Sequence, residues 1–132
     1  MNLVSSQTNS LNGEVVCPGD KSISQRILIL GSLLNCNTSI KGFLDAYDPN
    51  STLNALNLIG SSIVKTRTRI ILNKRTQPFK MPDKDLDLGN SGTGMRLMLG
   101  LLSGLGIRAT LTGDSSLSKR PMLRVIKPLM DM

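Results

Sequence analysis

Gly19-Asp20-Lys21-Ser22-Ile23-Ser24-Gln25-Arg26 stands where an apolar-alternating run gives way to a helical one. Glycine permits the tight backbone turn that such a junction needs. The residues after it offer free N–H groups at a helix start, where the dipole is positive and anions are stabilised. Lys21 adds a mobile point charge, Ser22 a hydroxyl, and Arg26 a planar two-pronged donor one turn beyond Ser22 on the same helix face. The set suits a small ligand that carries phosphate and carboxylate groups.

The same order of features recurs 70 positions later. Gly89-Asn90-Ser91-Gly92-Thr93 follows the alternating Asp85-Leu86-Asp87-Leu88 and precedes a helical run carrying Arg96. Gly19 aligns with Gly89, Asp20 with Asn90 and Arg26 with Arg96. A short β-like run lies behind each helix, Thr38-Ser39-Ile40-Lys41 and Ala109-Thr110-Leu111-Thr112, each closed by glycine, at 42 and 113. A repeat of this kind decides the fold before any single element does.

The chain has 132 residues, 39% of them hydrophobic, which is ordinary for one globular domain. Aromatics are limited to Phe43, Tyr47 and Phe79, so the core is expected to be built from Leu, Ile, Val and Met. That scarcity argues against single-stranded nucleic-acid binding by base stacking. The net charge of +7 reads either as solubility or as a field that draws in small polyanions. Lys65, Arg67, Arg69, Lys74 and Arg75 fit a solvated hairpin, whereas Lys21, Arg26, Arg96 and Arg120 sit beside turns and helix starts, a placement suited to a pocket. Cys17 and Cys36 have no CxxC spacing and the chain has no histidine, so no metal site is expected. Both thiols read as buried or incidental in a reducing compartment. With no secretory signal pattern and no apolar segment of membrane-spanning length, a cytoplasmic protein without membrane or nucleic-acid partners is expected.

Along the chain, Met1–Ser10 reads as loose and Leu11–Cys17 as a strand that Pro18-Gly19 turns into a helix from Ser22 to Leu34. Asn35–Asn37 breaks that helix and Thr38–Gly42 forms the next strand. Asp48-Pro49 is expected to cap a helix reaching Leu58, with Gly60 ending it. Strands Ser62–Lys65 and Arg69–Asn73 complete a βαβαββ unit. The domain reading is therefore an N-terminal strand region over 1–17, a first unit over 18–75, a linker over 76–84, and a truncated second unit over 85–132. The second unit is expected to run strand, helix from Gly92, strand, and helix from Met122. Pro128 is expected to kink or end that last helix near Lys127.

Three motifs stand on this repeat: Pro18–Arg26, Gly89–Arg96 and Gly113-Asp114-Ser115-Ser116-Leu117-Ser118-Lys119-Arg120-Pro121-Met122. Together they resemble the N-terminal signatures of the 5-enolpyruvylshikimate-3-phosphate synthases, from about Leu11 to Met132. The resemblance implies an α/β fold of repeated βαβαββ units, three to a domain in two domains, of which this chain carries an incomplete set. It implies transfer of the enolpyruvyl group of phosphoenolpyruvate to the 5-hydroxyl of shikimate 3-phosphate, through a tetrahedral adduct that expels phosphate. No metal or organic cofactor takes part, the intact enzyme is a monomer, and both partners are small molecules. By the same resemblance Lys21 is catalytic and touches both substrates, Ser22 and Arg26 bind shikimate 3-phosphate, and Gly92 and Arg120 bind phosphoenolpyruvate. The family's acidic proton-transfer groups lie outside these motifs, so the chain alone is expected to be inactive.

Plainer roles stand beside these. Ser22 suits an N-cap, Arg96 a surface position or a brace for the neighbouring loop, and Arg120 a surface bridge to Asp114. Gln25, Gly94 and Leu97 depart from the family pattern, which often has His or Asn at the first place, Thr or Ala at the second and, in some members, Pro at the third. The related UDP-N-acetylglucosamine enolpyruvyl transferases share fold and chemistry, but this sequence shows no sign of their lysine-asparagine loop, and Lys21-Ser22 favours the shikimate branch. A non-catalytic anion-binding fragment and a basic nucleic-acid binder are the readings from other classes.

Overall fold

The computed structural model describes residues 2–34 and 36–132. Met1, in the expected loose start, and Asn35, in the expected helix break, lie outside the described residues. The elements run α1 (Lys21–Leu33), β1 (Thr38–Lys41), α2 (Tyr47–Leu58), β2 (Ser62–Lys65), β3 (Arg69–Asn73), β4 (Leu86–Asp87), α3 (Gly92–Leu105), β5 (Leu111–Thr112), a 3-10 turn (Leu117–Lys119) and α4 (Leu123–Asp131).

In the first unit β3 lies between β1 and β2 and is antiparallel to both. The register opposes Ile40 to Ile70 and Ile63 to Leu72, so all four side chains fall on one face. All four are buried, against α1 and α2, with Leu28, Leu53, Leu56 and Ile59 closing the core. In the second unit the alternation is short: β4 and β5 form a two-stranded parallel pair joined through α3, the crossover that parallel strands require. Leu86, Leu88, Met95, Met98 and Leu102 bury the inner side of that pair and helix. Both halves share one hydrophobic cluster, and the packing of α1 and α2 against α3 joins them.

The repeat is visible in space. A Cβ on Gly19 would collide with the carbonyl oxygen of Gly42, and one on Gly113 would lie 2.6 Å from the carbonyl oxygen of Gly89. In each unit, therefore, the turn before the helix is pressed onto the turn after the following strand. The pressure is so close that only glycine fits.

Several expectations are corrected. Leu11–Cys17 forms no strand: Val15 is 86% and Val16 94% exposed, and none of the described strands pairs with it. The buried cluster among the described residues contains no valine; its aliphatics are Leu, Ile, Met and Ala. Cys17 and Cys36 are free and exposed, not buried. Pro128 neither ends nor breaks α4, which continues to Asp131. The helix loses one N–H there, and the carbonyl left over lies on an exposed helix that water reaches. Arg75 also leaves the solvated hairpin, its guanidinium stacking 3.7 Å over the Phe79 ring. No described helix is long and apolar enough to cross a membrane.

Candidate functional site

Asp20, rather than Ser22, caps α1: its Oδ1 accepts the Ile23 N–H at 2.7 Å. In α3 the cap is Ser91, whose Oγ accepts the Gly94 N–H at 3.1 Å. The caps are thus 71 positions apart while the motifs are 70 apart, because asparagine at 90 is engaged elsewhere. Neither helix carries an acidic residue in its first turn, but the starts differ: the Asp20 carboxylate itself meets the start of α1, whereas α3 is capped by a neutral hydroxyl.

Three helix starts converge on one buried amide. The Gln25 side chain is fully buried, and its Nε2 donates to the Asp48 carbonyl (3.3 Å), to Thr52 Oγ1 (3.1 Å) and to Ser91 Oγ (2.7 Å). Asp48 and Thr52 belong to the first turns of α2, and Ser91 caps α3. Ser51 adds a second tie, donating to the Leu88 carbonyl at 3.2 Å. Gln25 Oε1 is buried without a partner, a cost of about 1–3 kcal/mol for an unsatisfied acceptor.

The expected site residues gather around this junction. Lys21 Nζ reaches Asp48 Oδ2 at 3.0 Å, with the lysine side chain 52% exposed. The carboxylate of Asp48 is therefore a partner for Lys21 and not the side-chain cap of α2, whose N-cap, Ala46, has none. Arg26 is exposed and folds back on the Ser22 carbonyl at 3.2 Å, so Ser22 and Arg26 share one stretch of surface. Arg26 and Arg96 face each other across a shallow apolar concavity of about 390 Å³ lined by Leu30, Leu33 and Leu97.

Gly92 lies under two guanidinium groups. A Cβ there would come within 2.8 Å of Arg120 Nη1 and 3.2 Å of Arg96 Nη1. Arg96 is a brace as well as a neighbour: it donates to the Gly92 carbonyl at 3.2 Å and to the Pro121 carbonyl at 3.3 Å, tying α3 to the segment that carries Arg120. No direct ion pair joins Arg120 to Asp114. Asn90 stands between them, its oxygen accepting from Arg120 Nη2 and its nitrogen donating to Asp114 Oδ2 at 2.6 Å. Asp114 also accepts the N–H groups of Leu117 (2.7 Å) and Ser116 (3.0 Å). The Asn90 amide first, then these N–H groups and the Arg120 charge, hold its carboxyl below the usual carboxylate range. Sequence reasoning missed Gln25, Asn90 and Asp48 as organisers; only their place inside the motifs, beside Lys21 and Gly92, pointed to them.

A larger concavity of about 550 Å³ opens on another face of α2, lined by Tyr47, Asn50, Asn54, Asn57 and the segment around Asp85. None of the five expected site residues borders it. Lys21 and Arg26 belong instead to α1, and Arg96 and Arg120 gather about Gly92 at the start of α3.

The fold is that of an α/β repeat domain. The model of the EPSP synthase (3-phosphoshikimate 1-carboxyvinyltransferase) family matches residues 5–132, and the chain belongs to that family. It is 48% identical over 127 residues to 3-phosphoshikimate 1-carboxyvinyltransferase of Petrotoga mobilis, covering 95% of this chain and 29% of the relative. The enzyme of that name from Oenococcus oeni is 45% identical over 132 residues, with 99% and 30% covered. The solved EPSP synthase of Acinetobacter baumannii superposes with a TM-score of 0.83 at 40% identity, over 91% of this chain and 27% of that one. The chain thus spans somewhat under a third of the length of the relatives it matches, and its fold is part of theirs.

Proposed function

We propose that this chain supplies part of an enzyme that transfers the enolpyruvyl group of phosphoenolpyruvate to the 5-hydroxyl of shikimate 3-phosphate, with release of phosphate. The observation that carries the reading is the junction at Gln25, which gathers the starts of α1, α2 and α3 beside Lys21, Gly92 and Arg120. Two polyanions can be held together there only if fixed cations and N–H dipoles offset their repulsion.

In this reading Ser22 and Arg26 bind shikimate 3-phosphate. Arg120 clamps phosphoenolpyruvate in its two-pronged manner, and Gly92 leaves its backbone bare against the same ligand. Lys21 lies at the border of both and assists the charge changes at the enol. The hydroxyl gives up its proton and its oxygen bonds to the central carbon as the methylene carbon gains a proton; loss of a proton from the resulting methyl group then re-forms the double bond as the C–O bond to phosphate breaks. The proton-transfer groups come from other parts of the enzyme. The reading extends to a monomeric, cytoplasmic enzyme without metal or organic cofactor, on the resemblance of the three motifs alone.

Ligand discrimination tests it. Titration of the ¹⁵N-labelled chain with shikimate 3-phosphate is expected to move the amides of Ser22 and Arg26, and phosphoenolpyruvate those of Gly92 and Arg120. Glucose 6-phosphate is expected to move neither set. Equal responses to all three, or none to the first two, would overturn the assignment. The purified chain is expected to release no phosphate from the substrate pair.

A further inference from the structure

We propose that Gln25 is a positioning residue that locks the start of α3 to the starts of α1 and α2, and that residue 94 is glycine because the Gln25 amide and the two hydroxyls it meets, of Ser91 and Thr52, fill the space of its Cβ. A Cβ on Gly94 would stand 2.9 Å from Gln25 Nε2, 2.7 Å from Ser91 Oγ and 2.9 Å from Thr52 Oγ1. Those three atoms are the network itself: Gln25 donates to both hydroxyls, and Ser91 Oγ caps α3. A side chain at 94 cannot enter without moving the cap, since Gln25, Thr52 and Ser91 are all buried against it.

The consequence reaches both ends of the candidate site. Through Ser91, Gln25 sets the position of Gly92, the next residue, and so the spacing of its backbone from Arg96 and Arg120. Through the Asp48 carbonyl it holds the residue whose carboxylate takes Lys21. One side chain therefore spaces the Lys21 cation from the Gly92 backbone. The departures from the family pattern at 25 and at 94 then meet in one network, the Gln25 amide lying where a side chain at 94 would stand. The spacing has meaning for phosphoenolpyruvate only within the proposed transferase reading, but the coupling itself does not depend on it.

Amide hydrogen exchange in the 132-residue chain measures that coupling directly. Gly94→Ala and Gln25→Ala are each expected to speed exchange at amide 94 about tenfold or more relative to the Ile23 and Ile63 amides, which Asp20 and Asn57 hold independently. Unchanged exchange at 94 in both single variants, or a uniform rise at Ile23 and Ile63, would overturn the inference. A phosphoenolpyruvate titration adds the functional arm: Gly94→Ala is expected to weaken the response at Gly92 about tenfold while the shikimate 3-phosphate response at Ser22 stays. If neither ligand binds the parent chain, the transferase reading falls while the exchange result still decides the coupling.

Discussion

The two repeat units use the same plan and finish it differently. In the first, β1 and β2 flank β3, and a register of isoleucines and leucine seals the sheet under α1 and α2. In the second, two short parallel strands carry α3, and α4 has no buried residue, with Leu123 71% and Met130 80% exposed. The contrast separates two things a motif can do. Sealing a sheet needs long-range pairing, whereas presenting a helix start needs only a turn, a cap and one supporting strand. Both units present their helix starts, but stability rests on the first and on the inner side of α3.

Core truncation tests that division most severely. Leu56→Ala and Ile70→Ala are expected to lower unfolding stability by about 2–5 kcal/mol each, as measured by urea denaturation, because both are wholly enclosed. Loss of less than 1 kcal/mol would place the weight elsewhere. Glycine replacement comes next and contrasts two sites of the second unit. Gly89 has φ +56°, and a Cβ there would collide with the Tyr47 ring, so Gly89→Ala is expected to cost at least about 1–3 kcal/mol. Gly100 lies in the middle of α3 with open space around it, so Gly100→Ala is expected to raise the melting temperature, by about 0.5–1 kcal/mol in stability.

Acid titration sharpens the comparison further. Asp45 of the first unit is held below the usual carboxylate range chiefly by Lys65, then by Asn50, and Asp114 of the second chiefly by Asn90. With the folded-state value depressed, each contribution is present above pH 3.8, the ordinary value, and is lost as pH falls through the folded value. Asp45→Asn and Asp114→Asn are both expected to flatten the acid decline of stability. High salt should shrink the Asp45 effect, which rests on an ion pair, and spare the Asp114 effect, which rests on an amide and backbone N–H groups. The smallest change is expected at α4: Leu123→Ala should fall within about 0.5 kcal/mol of the parent, and a larger loss would show that α4 contributes to the shared core.

Much of this was legible in the sequence because it is local. The 70-residue shift, the bounds of β2 and β3, the starts of α1 and α3 and the placement of Lys21, Ser22, Arg26, Gly92 and Arg120 at turns follow from periodicity and glycine chemistry among near neighbours. Contacts across the chain were not legible. Leu11–Cys17 has strand composition but no partner, Asp48 was assigned to a cap and instead meets a lysine 27 residues earlier, and Asn90 steps between Arg120 and Asp114.

The sequence by itself determined the repeat, the helix starts and the supply of cations, since each depends on residues within a turn or two of one another. Only the tertiary structure decided that Gln25, one helix turn from Lys21, would carry its amide to Ser91, 66 positions away. The physical reason is that a buried polar group must find its partner wherever packing brings one, and packing answers to the whole chain.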